Sequence, residues 1–270
     1  MPDLTKLEKQ AKACLAKKSD IPASPLYNMA RAAKFDSKDD AKYIQDAVDY
    51  LTCKARAKQS FTDDEKEFLK ELYEAFWWGG QYKGYKEAAA LANNYVNGPG
   101  NAQASPYIIN SEIYRNSPIV IATMQAMKTF ILEQKKANKP FQRIRCDNAQ
   151  FRSRPYARAL YRMNYRSQGK MKADGVLEAA QDDDRLHKAD GHFYLQSSSV
   201  VLKNGSIETV WFVESVYDFE PFESKDYYTN ITLGSNVVKL PDGLSEYMTK
   251  IGVAKAFWYK AEWKEVWNEN

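Results

Sequence analysis

Three features of this sequence predict an α+β fold. The first hundred residues place apolar side chains at helical spacing and show little else. A break at Asn97-Gly98-Pro99-Gly100 ends that run. Beyond it, Asn204-Gly205 separates two strand-like stretches, the strongest short-range hairpin signal. The expected architecture is an N-terminal helical bundle over residues 1–100. Over 101–270 a second domain follows, with an antiparallel β-sheet packed on helices; a half-open barrel is one form such a sheet takes.

Composition agrees. A length of 270 residues favours two domains, and 44% hydrophobic with 13% aromatic residues is enough to build a core rather than a disordered chain. A net charge of +4 is too mild to name a polyanionic partner. No apolar run reaches the ~18 residues of a membrane span. Met1-Pro2-Asp3-Leu4-Thr5-Lys6 reads as a charged helix start, not a signal peptide, so synthesis in the cytoplasm is expected. Cys14, Cys53 and Cys146 are odd in number, widely spaced and without metal-site spacing; they read as small buried apolar residues.

In the first half, Leu4, Leu7, Ala11, Cys14 and Leu15 mark one helix, and a second begins near Ser24. Ala41 to Lys58 gives a third. Thr62-Asp63-Asp64-Glu65 is a capping box opening a fourth, which stops at Gly79-Gly80. Tyr85 to Tyr95 is the last. The charges are balanced and interspersed, which fits either a solvated bundle or a docking module; Trp77-Trp78 suits core or anchor.

In the second half, Ser117-Pro118 opens a helix to about Lys136, with proline where its missing N–H costs nothing. From 139 to 172 the chain is strongly basic, and Arg158, Arg162 and Arg166 interleave with Tyr156, Tyr161 and Tyr165. Guanidinium groups bind phosphate oxygens in pairs, so nucleic acid, an anionic headgroup or a pyrophosphate all fit. The acids from Asp174 to Asp184, Glu178 among them, are equally able to neutralise the stripe. Asp182-Asp183-Asp184 is a hard-oxygen cluster without EF-hand spacing. Short strands are expected over 227–233 and 236–240, then a helix from Ser245 to Lys250 and a closing strand from Phe257 to Glu265.

The candidate site lies at the open end of the hairpin. If Asn204-Gly205 is a two-residue loop, Lys203 faces Ser206, His192 faces Tyr217 and Gly191 faces Asp218. Asp190, His192, Tyr217 and Asp218 then gather at one strand end, with Glu214 one step along. Imidazole is the side chain suited to proton transfer near neutral pH. A carboxylate from Asp218 or Glu214 would fix its tautomer or hold a metal.

These residues resemble the catalytic module of colicin M and related bacterial toxins, over roughly residues 115–265. The resemblance rests on Glu214-Ser215-Val216-Tyr217-Asp218-Phe219, on Ser117-Pro118-Ile119-Val120, on Gly191-His192-Phe193-Tyr194-Leu195, and on the helix and strand that close the chain. Tyr-Asp-Phe motifs also recur among type VI secretion cargo toxins. The resemblance implies a secreted bacteriocin-like effector that hydrolyses lipid II at its lipid–pyrophosphate bond in the target periplasm, aided by Mg²⁺. Tyr217 and Asp218 match the family's motif, Ser215 stands where it has an acid, and Glu214 is the nearest substitute. The family's His-Arg pair has no counterpart in 222–226, so His192 is the imidazole on offer. Asp218 and Asp190 are the metal candidates, and Arg158, Arg162 and Arg166 the substrate-binding ones. Implied partners are a lipid-linked cell-wall precursor, a cognate immunity protein, and a secretion component or chaperone on the N-terminal helices. Two further readings stay open: a nuclease effector using the 139–172 stripe on nucleic acid, and a non-enzymatic adaptor.

Overall fold

A computed structural model describes residues 38–219, 221–222, 228–233 and 236–268. The two helices expected before residue 38 lie outside the described residues. Helices α1 (Lys38–Arg56), α2 (Asp63–Tyr82) and α3 (Lys86–Asn97) come first. Then follow β1 (Tyr107–Ile108), α4 (Glu112–Arg115), α5 (Pro118–Lys136), β2 (Arg143–Arg145), α6 (Ala149–Arg152) and α7 (Pro155–Leu160). Next are β3 (Lys170–Met171), β4 (Leu177–Glu178), α8 (Asp184–Ala189), β5 (His192–Phe193), β6 (Leu195–Val201) and β7 (Ile207–Tyr217). The chain closes with β8 (Tyr228–Leu233), β9 (Asn236–Pro241), α9 (Asp242–Lys250) and β10 (Phe257–Trp267). The fold is α+β.

The described residues form two compact units: those within 38–100 and 217–257, and those within 101–216 and 258–268. Within the first unit, α1, α2 and α3 stand beside the β8–β9 hairpin and α9. The Thr62 capping box is present: Thr62 Oγ1 accepts from the Glu65 amide at 3.2 Å, and Glu65 accepts from the Thr62 amide at 2.7 Å. Glu65 is buried and also takes the Lys54 ammonium at 2.7 and 2.8 Å, so one carboxylate ties α1 to the start of α2. Helix α2 runs through Gly79-Gly80 to Tyr82. Gly80 fits because a Cβ there would sit 3.2 Å from the Ala89 Cβ. Cys53 and Cys146 are both buried as expected, but Cys53 is disulfide-bonded, whereas Cys146 is free.

The second unit holds a five-stranded sheet in the order β1-β10-β7-β6-β2 and a three-stranded one in the order β3-β4-β5. Buried residues alternate along β7 (Ile207, Thr209, Trp211, Val213) and β10 (Phe257, Tyr259, Ala261, Trp263), as a sheet with one covered face requires. Polar groups on that face are paired. Trp211 Nε1 donates to Glu265 at 3.1 Å, Lys128 to the same carboxylate at 2.5 Å, and Trp267 Nε1 to Thr209 at 3.0 Å. Helix α5 starts at Ser117-Pro118 as its sequence dictates.

The β6–β7 hairpin forms, but its register is one residue from the expected one. Leu202 closes on Ser206 at 2.8 Å, leaving a three-residue loop of Lys203, Asn204 and Gly205. Gly205 alone has positive φ, at +85°, so this is not the two-residue turn with both centres left-handed. Asn204 Oδ1 instead accepts from the Ser206 amide at 3.1 Å and its hydroxyl at 2.6 Å. The ladder pairs Leu195 with Val213 and Ser197 with Trp211. A one-residue slip turns every side chain to the other face. The expected pairing would have set buried Leu195 and Ser197 beside outward-facing Glu214 and Phe212.

Candidate functional site

The register change, and the early end of the ladder at Leu195, redirect His192. It does not face Tyr217. Its strand β5 pairs with β4, and His192 lies opposite Glu178. Strand β4 in turn pairs with β3, putting Lys170 opposite Glu178 on its other side. The β3–β4 turn repeats the chemistry of the long hairpin: Lys172 accepts from the Gly175 amide at 2.9 Å and donates to Val176 at 2.7 Å, and Asp174 Oδ1 accepts from the Val176 amide at 3.2 Å. Gly175 sits at φ +89°, and a Cβ there would meet the Asp147 Cα at 2.3 Å. Only glycine allows both the turn and that close approach.

This short sheet builds a cluster. Glu178 Oε1 and Lys172 Nζ each lie 3.2 Å from His192 Nε2. Lys172 is 3.8 Å from Glu178 Oε1, and Lys170 3.4 Å from Oε2. The Lys170 ammonium sits 4.8 Å from the centre of the Tyr165 ring. The Glu178 side chain is 11% exposed and that of His192 is 54% exposed, so a buried carboxylate anchors an imidazole that meets solvent. Burial alone would raise the Glu178 carboxyl; the His192 hydrogen bond and the charges of Lys172 and Lys170 outweigh it and hold it below the usual range. A carboxylate on one ring nitrogen orients the ring and leaves the other as the base.

Asp190 lies in a second, buried network. Tyr114 donates to its Oδ2 at 2.7 Å, and the Tyr259 hydroxyl and the His192 backbone N–H also reach it. Burial pushes its carboxyl up to about 6 against those three donors, and burial with the Asp190 charge drives both tyrosines up as well. Tyr259 also bonds Ser215. Alternation along β7 puts Glu214 on the opposite face of the sheet from Ser215.

Tyr217 and Asp218 belong to the first unit. Tyr217 packs against Tyr95, Phe219 and Phe257 at ring-centre distances of 5.3–5.7 Å, and burial raises its hydroxyl. Asp218 is exposed. The structure thus joins Asp190 to His192 through a backbone bond, while Tyr217 and Asp218 fall in the other unit. Of the two Mg²⁺ candidates, Asp190 has its carboxylate occupied by hydrogen-bond donors, and among the described residues no group of three or more His, Cys, Asp or Glu side chains is placed to hold a metal ion.

The basic stripe is partly spent. Arg145 pairs with Asp147, Arg152 with the Ala173 carbonyl, Arg154 with Glu133 at 3.2 Å, and Lys170 and Lys172 with Glu178. Arg158, Arg162 and Arg166 are exposed, and none makes an ion pair among the described residues. Glu178 neutralises Lys170 and Lys172, as its acidic run suggests; its place opposite His192 is what the sequence did not show. The signal for that place was Asp174-Gly175, a second hairpin pair flanked by Lys172 and Val176.

In comparisons with known proteins, no family model, no curated protein and no solved structure matches this chain.

Proposed function

We propose that this chain is an antibacterial effector that hydrolyses a phosphate-containing target of the cell envelope, most concretely a lipid-linked cell-wall precursor at its lipid–pyrophosphate bond. The observation that carries this reading is the solvent-reaching His192 held by the buried Glu178 and flanked by Lys170 and Lys172. With Nε2–H donating to Glu178, His192 Nδ1 takes a proton from water as the water oxygen bonds to phosphorus. The bond from phosphorus to the leaving oxygen breaks, and the imidazolium returns its proton to that oxygen. The two lysines offset charge gathering on the phosphoryl oxygens, and Arg158, Arg162 and Arg166 supply further donors for substrate phosphate. The N-terminal helices act as a bundle for docking to a secretion component or chaperone, and a cognate immunity protein protects the producer. A disulfide at Cys53 suits an oxidising compartment such as the target periplasm.

Growth of cells expressing the chain with and without a periplasmic signal tests this. Killing is expected only with the signal, and His192→Ala and Glu178→Gln should each abolish it while the purified variants keep the wild-type circular dichroism spectrum. Full toxicity of His192→Ala in the periplasm would end the reading. Asp218→Ala asks whether the Tyr217-Asp218 motif takes part: loss of killing would bring it in, and full killing would leave it out. Killing from the cytoplasm with nicked nucleic acid would favour a nuclease using the exposed arginines instead.

A further inference from the structure

We propose that Lys170 and Lys172 seat a phosphate or pyrophosphate group beside His192, and that the seated anion decides which ring nitrogen carries the proton. This deepens the hydrolase reading and names the part of the substrate the site grips.

The first observation is a conflict at one atom. Glu178 Oε1 and Lys172 Nζ both approach His192 Nε2 at 3.2 Å. A ring nitrogen bearing hydrogen donates to the carboxylate and has nothing to offer the ammonium. One without hydrogen accepts from the ammonium and meets the carboxylate lone pair to lone pair. The two contacts exclude each other in any single protonation state, so the free site divides between two tautomers.

The second observation is charge. Two ammonium groups face one carboxylate, an excess of one positive charge before any ligand arrives. The Lys172 and Lys170 side chains are 40% and 38% exposed while Glu178 is 11% exposed. The carboxylate is at the floor and the ammoniums are at the rim, so an anion from solvent meets the cations first. Two residues apart on extended backbone, the lysines share one face at roughly 6–7 Å, a separation that one phosphate or pyrophosphate bridges. The Tyr165 ring holds the Lys170 ammonium 4.8 Å from its centre.

An anion so placed draws the Lys172 ammonium away from the ring. Nε2 then keeps its hydrogen and donates to Glu178, and the lone pair stays on Nδ1. His192 Nδ1 has no partner among the described residues, so the nitrogen left basic is the one open to solvent. Binding the phosphate group thereby sets the base that takes the proton of the attacking water.

Long-range ¹H–¹⁵N spectra of the full chain, titrated with sodium pyrophosphate at constant ionic strength, read this directly. The chain has two histidines, and the His192 signals are those lost in His192→Gln. Pyrophosphate should shift them saturably toward the form protonated at Nε2. The double variant Lys170→Gln/Lys172→Gln should weaken binding at least tenfold. Glu178→Gln should keep binding and lose the tautomer preference. The proposal falls if wild type shows no saturable shift, if the double variant binds equally, if sodium sulfate or sodium chloride alone gives the same shift, or if a single-stranded oligonucleotide gives it and pyrophosphate does not. The killing assay is separate: pyrophosphate bound through these lysines, with His192→Ala still toxic, would leave the anion seat standing and remove the hydrolase.

Discussion

Asp190 shows how little of a side chain's role is visible in its identity. As an acid beside a histidine it reads as a metal ligand or catalytic partner. In the fold it is a buried acceptor for two tyrosine hydroxyls and the His192 amide. Its carboxyl is pushed up to about 6, above the ordinary value near 3.9. The folded chain therefore keeps this proton to a higher pH than the unfolded chain. The stability it contributes is full below about pH 4 and is lost as pH rises through 6. Asp190→Asn should therefore gain on wild type between pH 4 and pH 7, by on the order of 2 kcal/mol. Urea denaturation across that range measures the gap, and a gap that does not change with pH would refute the assignment. Tyr217 makes the same point, since its motif suggests chemistry and its ring packs into an aromatic cluster.

At the level of elements, two hairpins use one device: an Asn or Asp whose side chain holds the amide two residues on, followed by a glycine at positive φ. Their surroundings differ, and so should their tolerance. A Cβ at Gly205 meets nothing within 4 Å, so Gly205→Ala carries only backbone strain, about 1 kcal/mol. A Cβ at Gly175 runs into the Asp147 backbone, which cannot swing aside. Gly175→Ala should cost several-fold more in thermal denaturation and, by shifting β3 against β4, should also disturb the His192 signals. The α1–α2 junction offers a third test. Lys54→Met leaves Glu65 buried without its cation and should cost about 3–5 kcal/mol, whereas Thr62→Ala removes one cap bond and should cost about 1 kcal/mol. Equal losses in urea denaturation would mean that the Lys54–Glu65 pair is not a buried ion pair in solution.

For the molecule as a whole, the chain order of the units matters. Residues 217–257 belong with the N-terminal helices, and the chain then returns to supply β10 to the second unit. In the sheet order, β10 stands between β1 and β7, and it carries Trp263 and the Glu265 that pairs Trp211 and Lys128. Deleting residues 258–270 should therefore strip the buried Trp211 indole N–H of its protection against hydrogen exchange. Retained protection at Trp211 would show that the second unit closes without β10.

The sequence by itself determined several elements: the capping box at Thr62, the helix start at Ser117-Pro118 and the alternating strands all follow from forces within a few residues, while the Asn204-Gly205 turn was legible in place but not in length. The end of α3 at Asn97, before Gly98-Pro99-Gly100, was legible for the same reason, because glycine and proline act locally. It could not determine register, because one residue of slip costs nothing until a strand's buried face meets its neighbour's. Nor could it show that Glu178, fourteen positions from His192, anchors that ring. Those choices came from the tertiary structure, where burying Leu195, Ser197, Trp211 and Val213 on one side fixed the pairing, and the pairing fixed which charges meet.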